Sequence, residues 1–328
     1  MSTTVSDVYV SRTDRDAAIV ARQDPVIYGN GAYADALSGE QLAAYERDGF
    51  LLMRGLFSPD ETRDLLVEVG RMRADPAIRA LDEAVIEPRG RAIRSIFRVH
   101  RLSGAVARWV RDPRVVNVAR QILGSEVYVH QSRANLKPGF EGKEFYWHSD
   151  FETWHVEDGM PRMRALSCSL LLTDNTACNG PLMLMPGSHQ QFISCRGQTP
   201  HNNYQTSLRQ QEYGVPDPVS LRLLADSRGV EAMMADAGSV VFFDCNTMHG
   251  SSGNISPLPR TNLFVVYNSV DNVPRDPQYG LEPRPEYIAA RASRAPVVPL
   301  GTAPASYAVS SVAGDEPLEE FSCTGFPR

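Results

Sequence analysis

Disulfide scaffolding is the first thing this chain lacks the means for. Its five cysteines, Cys168, Cys178, Cys195, Cys245 and Cys323, are odd in number and form no CxxC pair. Reduced thiols in a cytoplasmic protein are therefore expected, not a disulfide framework or a zinc knuckle. No apolar run approaches the roughly 20 residues that a membrane helix needs, so no membrane is expected as partner. The start, Met1 to Asp7, has neither a positive n-region nor an apolar h-region, and no signal peptide is expected. Blocks of Lys and Arg are missing too: 33 basic residues face 39 acidic ones, a net charge of −6. That balance excludes nucleic acid as the expected partner. No internal repeat is visible.

What is present is an ordinary apolar fraction, 42% of 328 residues, enough for one large packed domain. Residues 1–39 are polar and aperiodic and read as a loosely held arm. Residues 40–126 read as a helical buttress. Within it, helical spacing covers Glu40 to Asp48 with Gly49 closing the helix. Phe50 to Arg54 is a short strand. Ser58-Pro59-Asp60-Glu61 is a helix start with Ser as N-cap, Pro at N1 and Glu at N3, and that helix stops before Asp75-Pro76. Pro113 to Leu123 is a further helix, with Gly124 after its end. From Val127 to Asn272 strands dominate: Val127–Gln131, Ala165–Leu172, Leu182–Met185, Ser239–Asp244 and Asn262–Asn268. Such short strands with Gly/Pro/Asn punctuation predict a mainly β fold with flanking helices, its core an antiparallel barrel or double-sheet jelly roll. Residues 192–235, rich in Gln, Asn and Pro, read as an excursion over the barrel mouth and a candidate lid. Residues 273–328 form an extension to which no role is assigned.

The stretch Phe145-Tyr146-Trp147-His148-Ser149-Asp150-Phe151-Glu152-Thr153-Trp154-His155 organises the chain. On a strand, His148 and Asp150 would leave the same face, placing an imidazole and a carboxylate side by side. His249 is the candidate third ligand, because two His and one carboxylate form the facial triad of non-haem Fe(II) oxygenases. Arg260, eleven positions on, would face the same cavity from the next strand and hold a dicarboxylate by a bidentate pair. These four residues point to 2-oxoglutarate chemistry. Taken alone, the His-x-Asp pair reads more readily as a surface His beside a solvated Asp; His249 and Arg260 are what turn the reading toward a metal site. Of the other histidines, His155 reads as a packing group, His189 as a turn residue, and His100, His130 and His201 as structural. Gln131, Arg133, Asn135 and Lys137 share one strand face, either a solvated face or the wall of a polar cavity. Arg260, Asn262 and Phe264 share another. Trp154 is by default core.

Phe145 to Pro161, read as FYWHSDFETWHVEDGMP, resembles the signature of the ectoine hydroxylases in the phytanoyl-CoA dioxygenase superfamily. Gln131 to Phe140 resembles the same family, as do Asn179 to Leu182 and Pro186 to His189. The likeness spans roughly Asp24 to Asn272 without departure at the metal or 2-oxoglutarate positions. It implies a single dioxygenase domain with a cupin-like double-stranded β-helix. Fe(II) would sit on His148, Asp150 and His249, and 2-oxoglutarate and O2 would be the cosubstrates. Lys137, Asn135, Arg260 and Ser251 would hold 2-oxoglutarate. Gln131, Trp154, Phe243 and Phe264 would line the site for ectoine, a small ring bearing a cationic amidine and a carboxylate, the aromatics supplying faces for the cation. The implied product is 5-hydroxyectoine, with succinate and CO2 released. A second copy of the chain is the one macromolecular partner left open. Three rivals are disfavoured by the residues themselves. A halogenase would lack the carboxylate that Asp150 supplies, a metal hydrolase or isomerase would leave Arg260 and Lys137 idle, and an osmolyte-binding module would not need the triad.

Overall fold

The computed structural model describes residues 7–308 apart from 30, 34–35, 88–91, 209–211 and 305. Residues 1–6 at the start of the arm, Cys323 and the rest of 309–328 lie outside the described residues. In chain order the strands are β1 (Ile19–Ala21), β2 (Phe50–Met53), β3 (Ala84–Ile86), β4 (Ile93–Phe97), β5 (Val127–Lys137), β6 (Phe145–His148), β7 (Ala165–Leu171), β8 (Leu182–Leu184), β9 (Gln191–Ile193), β10 (Glu231–Ala232), β11 (Val240–Asp244), β12 (His249–Ser251) and β13 (Arg260–Ser269). The helices are α1 (Gly39–Asp48), α2 (Pro59–Ala74), α3 (Pro76–Arg79), α4 (Val99–Leu102), α5 (Gly104–Trp109), α6 (Pro113–Leu123), α7 (Asp150–Asp158), α8 (Tyr204–Ser207) and α9 (Pro218–Arg228).

The longest strands, β5 and β13, pair along their whole length at the centre of a seven-stranded antiparallel sheet ordered β2-β11-β7-β13-β5-β4-β3. A four-stranded sheet, β10-β8-β12-β6, lies opposite it. Strand alternation divides the apolar residues between two layers. Val240, Phe242, Leu263, Val265 and Tyr267 face α2, α5 and α6, packing with Leu65, Val69, Met72, Trp109, Val115 and Ile122. Val241, Phe243 and Phe264 face inward and pack with Leu182 and Leu184 of the smaller sheet. This is a double-stranded β-helix core buttressed by helices on one side. Among the described residues no helix is long and apolar enough to cross a membrane.

Helix starts follow the local chemistry. Ser38 and Ser58 close capping boxes with Gln41 and Glu61, satisfying amide groups that the first helical turn leaves unpaired. α1 ends at Gly49 with φ of +83°, a conformation that suits glycine. The segment read as a loose arm is instead packed where it is described. Tyr9 and Arg12 are buried, and β1 pairs antiparallel with β9. Its polar, aperiodic composition misleads because its partners are long-range carboxylates, not a local apolar stripe. The unassigned extension is also tied down: Arg284 is buried against Asp158, and Ala290 N–H donates to the His130 carbonyl at 2.9 Å.

Candidate metal and 2-oxoglutarate site

β6 delivers His148 at its last position, and β12 places His249 directly opposite it across an antiparallel pair. Their rings lie 4.3 Å apart. Asp150 is not on that strand. Ser149 breaks it by capping a helix, its hydroxyl accepting from Glu152 N–H, and Asp150 is the first helical residue. The expectation that His148 and Asp150 leave one strand face is therefore corrected: a turn of backbone at Ser149 brings them together. Asp150 Oδ1 stands 3.8 Å from His148 Nε2 and 3.9 Å from His249 Nε2. The three ligand atoms lie within 4.8 Å of one another.

Both imidazoles are locked. His148 Nδ1 is 2.7 Å from the Tyr146 carbonyl and His249 Nδ1 is 2.9 Å from that of Thr247. Only a protonated Nδ1 satisfies a carbonyl, so each Nε2 lone pair is left toward Asp150. Burial, reinforced by the neighbouring His249, pushes His148 down to about 4, keeping it neutral as metal ligation requires. The far carboxylate oxygen of Asp150 accepts from Ser167 Oγ at 3.3 Å. The donor set and its open side fit Fe(II).

Next to this triad, on the inner face of the large sheet, is a cluster of cations. Register places Arg260 opposite Lys137 and Asn262 opposite Asn135. Arg260 Nη2 is 3.5 Å from Asn135 Oδ1, and Lys137 Nζ donates to the Ser252 carbonyl. Arg133 lies over Phe264, 5.0 Å from its centroid. Lys137, Arg260, Asn135 and Asn262 are buried, and Arg133 is half-buried with its Nε enclosed. Among the described residues none of these three cations has an ion pair. Nε of Arg133, Nε of Arg260 and both amide atoms of Asn262 have no hydrogen-bond partner. Burial first, then repulsion from Arg260 and Arg94, pushes Lys137 down to about 6. Burial with Arg133 and Arg94 pulls Arg260 down to about 9. Buried charge without counter-charge is costly, and a dianion is what this cluster lacks. Ser251 is buried two residues past His249.

A cavity opens from the triad, with His148 and Asp150 in its wall. Gln131 and Arg133 of β5, Thr153, Trp154 and Glu157 of α7, and Arg284 and Ile288 of the extension contribute further wall. Gln131 is held by its Nε2 donating to the Ile288 carbonyl at 2.7 Å. Trp154 combines both readings the sequence left open. It packs edge-on to His130 at 5.3 Å and with Phe151 and Met160, yet lines the cavity. Phe243 and Phe264 stand further back. Phe243 rests 5.1 Å from the His249 ring, and Phe264 lies beneath Arg133 within the apolar layer between the sheets. Leu208 and Tyr213 of the 192–235 excursion reach the same cavity.

Sequence reasoning placed Arg133 and Asn262 on the right strand faces without giving them a role, and passed over Ser167, Glu157 and Arg284. Ser167 and Ser169, polar interruptions on the inner face of the apolar strand β7, were a readable signal for Ser167. Arg284, in a proline-scattered tail, had none.

The family model for phytanoyl-CoA dioxygenase (PhyH) matches residues 45–262, more than half of the chain. The chain belongs to the phytanoyl-CoA dioxygenase family. Within that family it is 66% identical over 300 residues to the ectoine dioxygenase of Bordetella bronchiseptica, covering 92% of this chain and 97% of that protein. It is 52% identical over 292 residues to the ectoine dioxygenase of Stutzerimonas stutzeri, covering 89% and 97%. The crystal structure of EctD from S. alaskensis with 2-oxoglutarate and 5-hydroxyectoine superposes with a TM-score of 0.80 at 48% identity, over 90% of this chain and 98% of that one. A structure of the same protein with bound Fe gives the same score. The epimerase SnoN, at 20% identity and a TM-score of 0.55, shares the fold.

Proposed function

We infer that this phytanoyl-CoA dioxygenase family member hydroxylates ectoine to 5-hydroxyectoine, consuming 2-oxoglutarate and O2 and releasing succinate and CO2. The observation that carries the reading is a His-Asp-His triad beside Arg133, Lys137 and Arg260, basic side chains with no ion pair among the described residues. Fe(II) on His148, Asp150 and His249 supplies the oxidative chemistry when bound.

The chain's own residues do the rest. Arg260, with Lys137 and Asn135, takes the distal carboxylate of 2-oxoglutarate, and Arg133 and Ser251 complete the polar wall on that side. Charge-assisted bonds in a site of low dielectric fix the cosubstrate's direction. Gln131 and Trp154 hold the ectoine ring, the indole offering its face to the amidinium. Phe243 and Phe264, behind the ligands, fix the positions of His249 and Arg133. Ser167 steadies the non-ligating oxygen of Asp150. The excursion at 192–235, through Leu208 and Tyr213, acts as the lid that keeps water from the reacting carbon.

Succinate release measured with Fe(II) and 2-oxoglutarate, with and without ectoine, tests this. The reading requires strong stimulation by ectoine. Equal release in its absence would remove ectoine as substrate.

A further inference from the structure

Arg12 comes from the segment that composition marks as loose, yet its side chain is fully enclosed. Its Nε and Nη2 donate to Glu152 at 3.0 and 2.9 Å, its Nη2 to Thr153 Oγ1 at 3.0 Å, and its Nη1 to Thr199 Oγ1 at 2.8 Å and to Glu157 Oε1. Its backbone sits at φ of +55°, a left-handed conformation that a non-glycine residue holds only when its surroundings over-determine it. Those surroundings are specific. Arg12 N–H donates to the Cys195 carbonyl at 2.7 Å, Ser11 Oγ donates to Glu152 at 2.6 Å, and Tyr279 donates to the Ser11 carbonyl at 2.6 Å. Gly214 passes so close that a Cβ there would stand 2.5 Å from Glu152 Oε2 and 2.6 Å from Arg12 Nη2. The N-terminal segment, the excursion and the C-terminal extension thus meet on one face of α7, the helix that begins with Asp150 and carries Trp154.

Of the carboxylates Arg12 holds, Glu157 is the one that lines the cavity. Both of its hydrogen bonds among the described residues, from Arg12 and from Asn203 at 3.2 Å, go to Oε1. Oε2 accepts none there, and Arg284 Nε stands 3.8 Å from it. Glu152, Glu157 and Asp158 crowd one buried helix, and such a cluster calls for cations. Arg12 supplies one and Arg284, paired with Asp158, the other.

We propose that Arg12 is a positioning residue for ectoine: its guanidinium holds Glu157 Oε1 and so fixes the carboxylate in the cavity wall, where its other oxygen receives an N–H of the substrate's amidinium. This rests on the ectoine reading above. Glu157 stands at the α7 wall beside Arg284, and Arg133 lines the same cavity with the metal ligands His148 and Asp150.

The test varies ectoine at saturating 2-oxoglutarate on the full-length, Fe(II)-loaded enzyme, comparing the unmodified protein with Glu157→Gln, Arg12→Gln, Arg12→Lys and the double variant Arg12→Gln/Glu157→Gln. Glu157→Gln and Arg12→Gln should each raise the KM for ectoine roughly tenfold or more, the loss expected for one charge-assisted hydrogen bond. Bound iron and the KM for 2-oxoglutarate should stay unchanged. The double variant should be no worse than Glu157→Gln alone, and Arg12→Lys should fall between, a point charge reaching fewer of the oxygens. An unchanged ectoine KM in either Gln variant, or effects that multiply in the double variant, overturns the proposal. So does loss of kcat and iron at constant KM, the pattern of a merely structural tie. If Arg12→Gln does not fold, unchanged KM in both Arg12→Lys and Glu157→Gln overturns it equally. No ectoine consumption by the unmodified protein would instead overturn the functional reading, and this proposal with it.

Discussion

Replacing Arg260 with Met should leave the ligand-free protein as stable as before or more so, while abolishing its response to 2-oxoglutarate. Arg260 is buried, and among the described residues its Nε has no partner and its one side-chain hydrogen bond is the long one to Asn135. Burial and like charges pull it down to about 9, roughly three and a half pH units below an ordinary guanidinium. At about 1.4 kcal/mol per pH unit, this corresponds to an unfavourable burial on the order of 5 kcal/mol. A cation whose folded value is depressed carries the full penalty below that value, so the whole cost is present at pH 7 to 8 and fades only as the pH rises past about 9. Met keeps most of the volume and removes the charge, at the expense of some packing. The net gain expected is ~1–4 kcal/mol, by analogy with buried ionic groups replaced by apolar ones, or a few degrees in Tm for a chain of this size. The unmodified protein should gain about 2.7 kcal/mol at a 2-oxoglutarate concentration a hundredfold above its Kd, and the variant nothing. Anaerobic melting curves with Fe(II), with and without 2-oxoglutarate, measure both. A variant melting far below the parent without ligand would make Arg260 a structural residue. A preserved ligand-induced shift would remove it from the cosubstrate site.

The remaining predictions concern the triad, Lys137 and Trp154. His148→Ala, Asp150→Ala and His249→Ala should each lose iron and hydroxylation with the far-ultraviolet circular dichroism unchanged; a variant retaining full iron content would leave the triad. Lys137, held down to about 6 in the free protein, should rise beside a bound carboxylate. Binding of 2-oxoglutarate at pH 7.5 should then take up close to one proton and weaken as the pH climbs above 6, as calorimetry in buffers of different ionisation enthalpy would show; zero uptake would place the carboxylate elsewhere. Trp154→Ala should cost ~3–5 kcal/mol, because the indole packs against Phe151 and Met160, and should also raise the ectoine KM. Trp154→Phe should do less on both counts, and a normal ectoine KM in folded Trp154→Ala would end its role as a substrate wall.

Much of the inner architecture was legible because the pleat enforces it. Arg260, Asn262 and Phe264 share a face, and so do Gln131, Arg133, Asn135 and Lys137, wherever those segments are strands. The metal ligands were legible as residue types, but the geometry assigned to His148 and Asp150 was wrong. Ser149 followed three residues later by Glu152 is a helix start, and reading it would have moved Asp150 onto α7. The tethers were not legible at all. Arg12 finds Glu152 across 140 residues and Arg284 finds Asp158 across 126, and neither stretch has a local periodicity that announces such a partner. Strand β12 was missed for a related reason: three residues are too short for alternation to register, although His249 sits on it.

The most direct measurement is the fate of oxygen. Reaction under 18O2 with Fe(II), 2-oxoglutarate and ectoine, followed by mass spectrometry and proton NMR, reads the central claim in one sample. The account predicts 5-hydroxyectoine and succinate in equal amounts, each carrying one labelled atom. Succinate formed while the ectoine ring stays unmodified would contradict it.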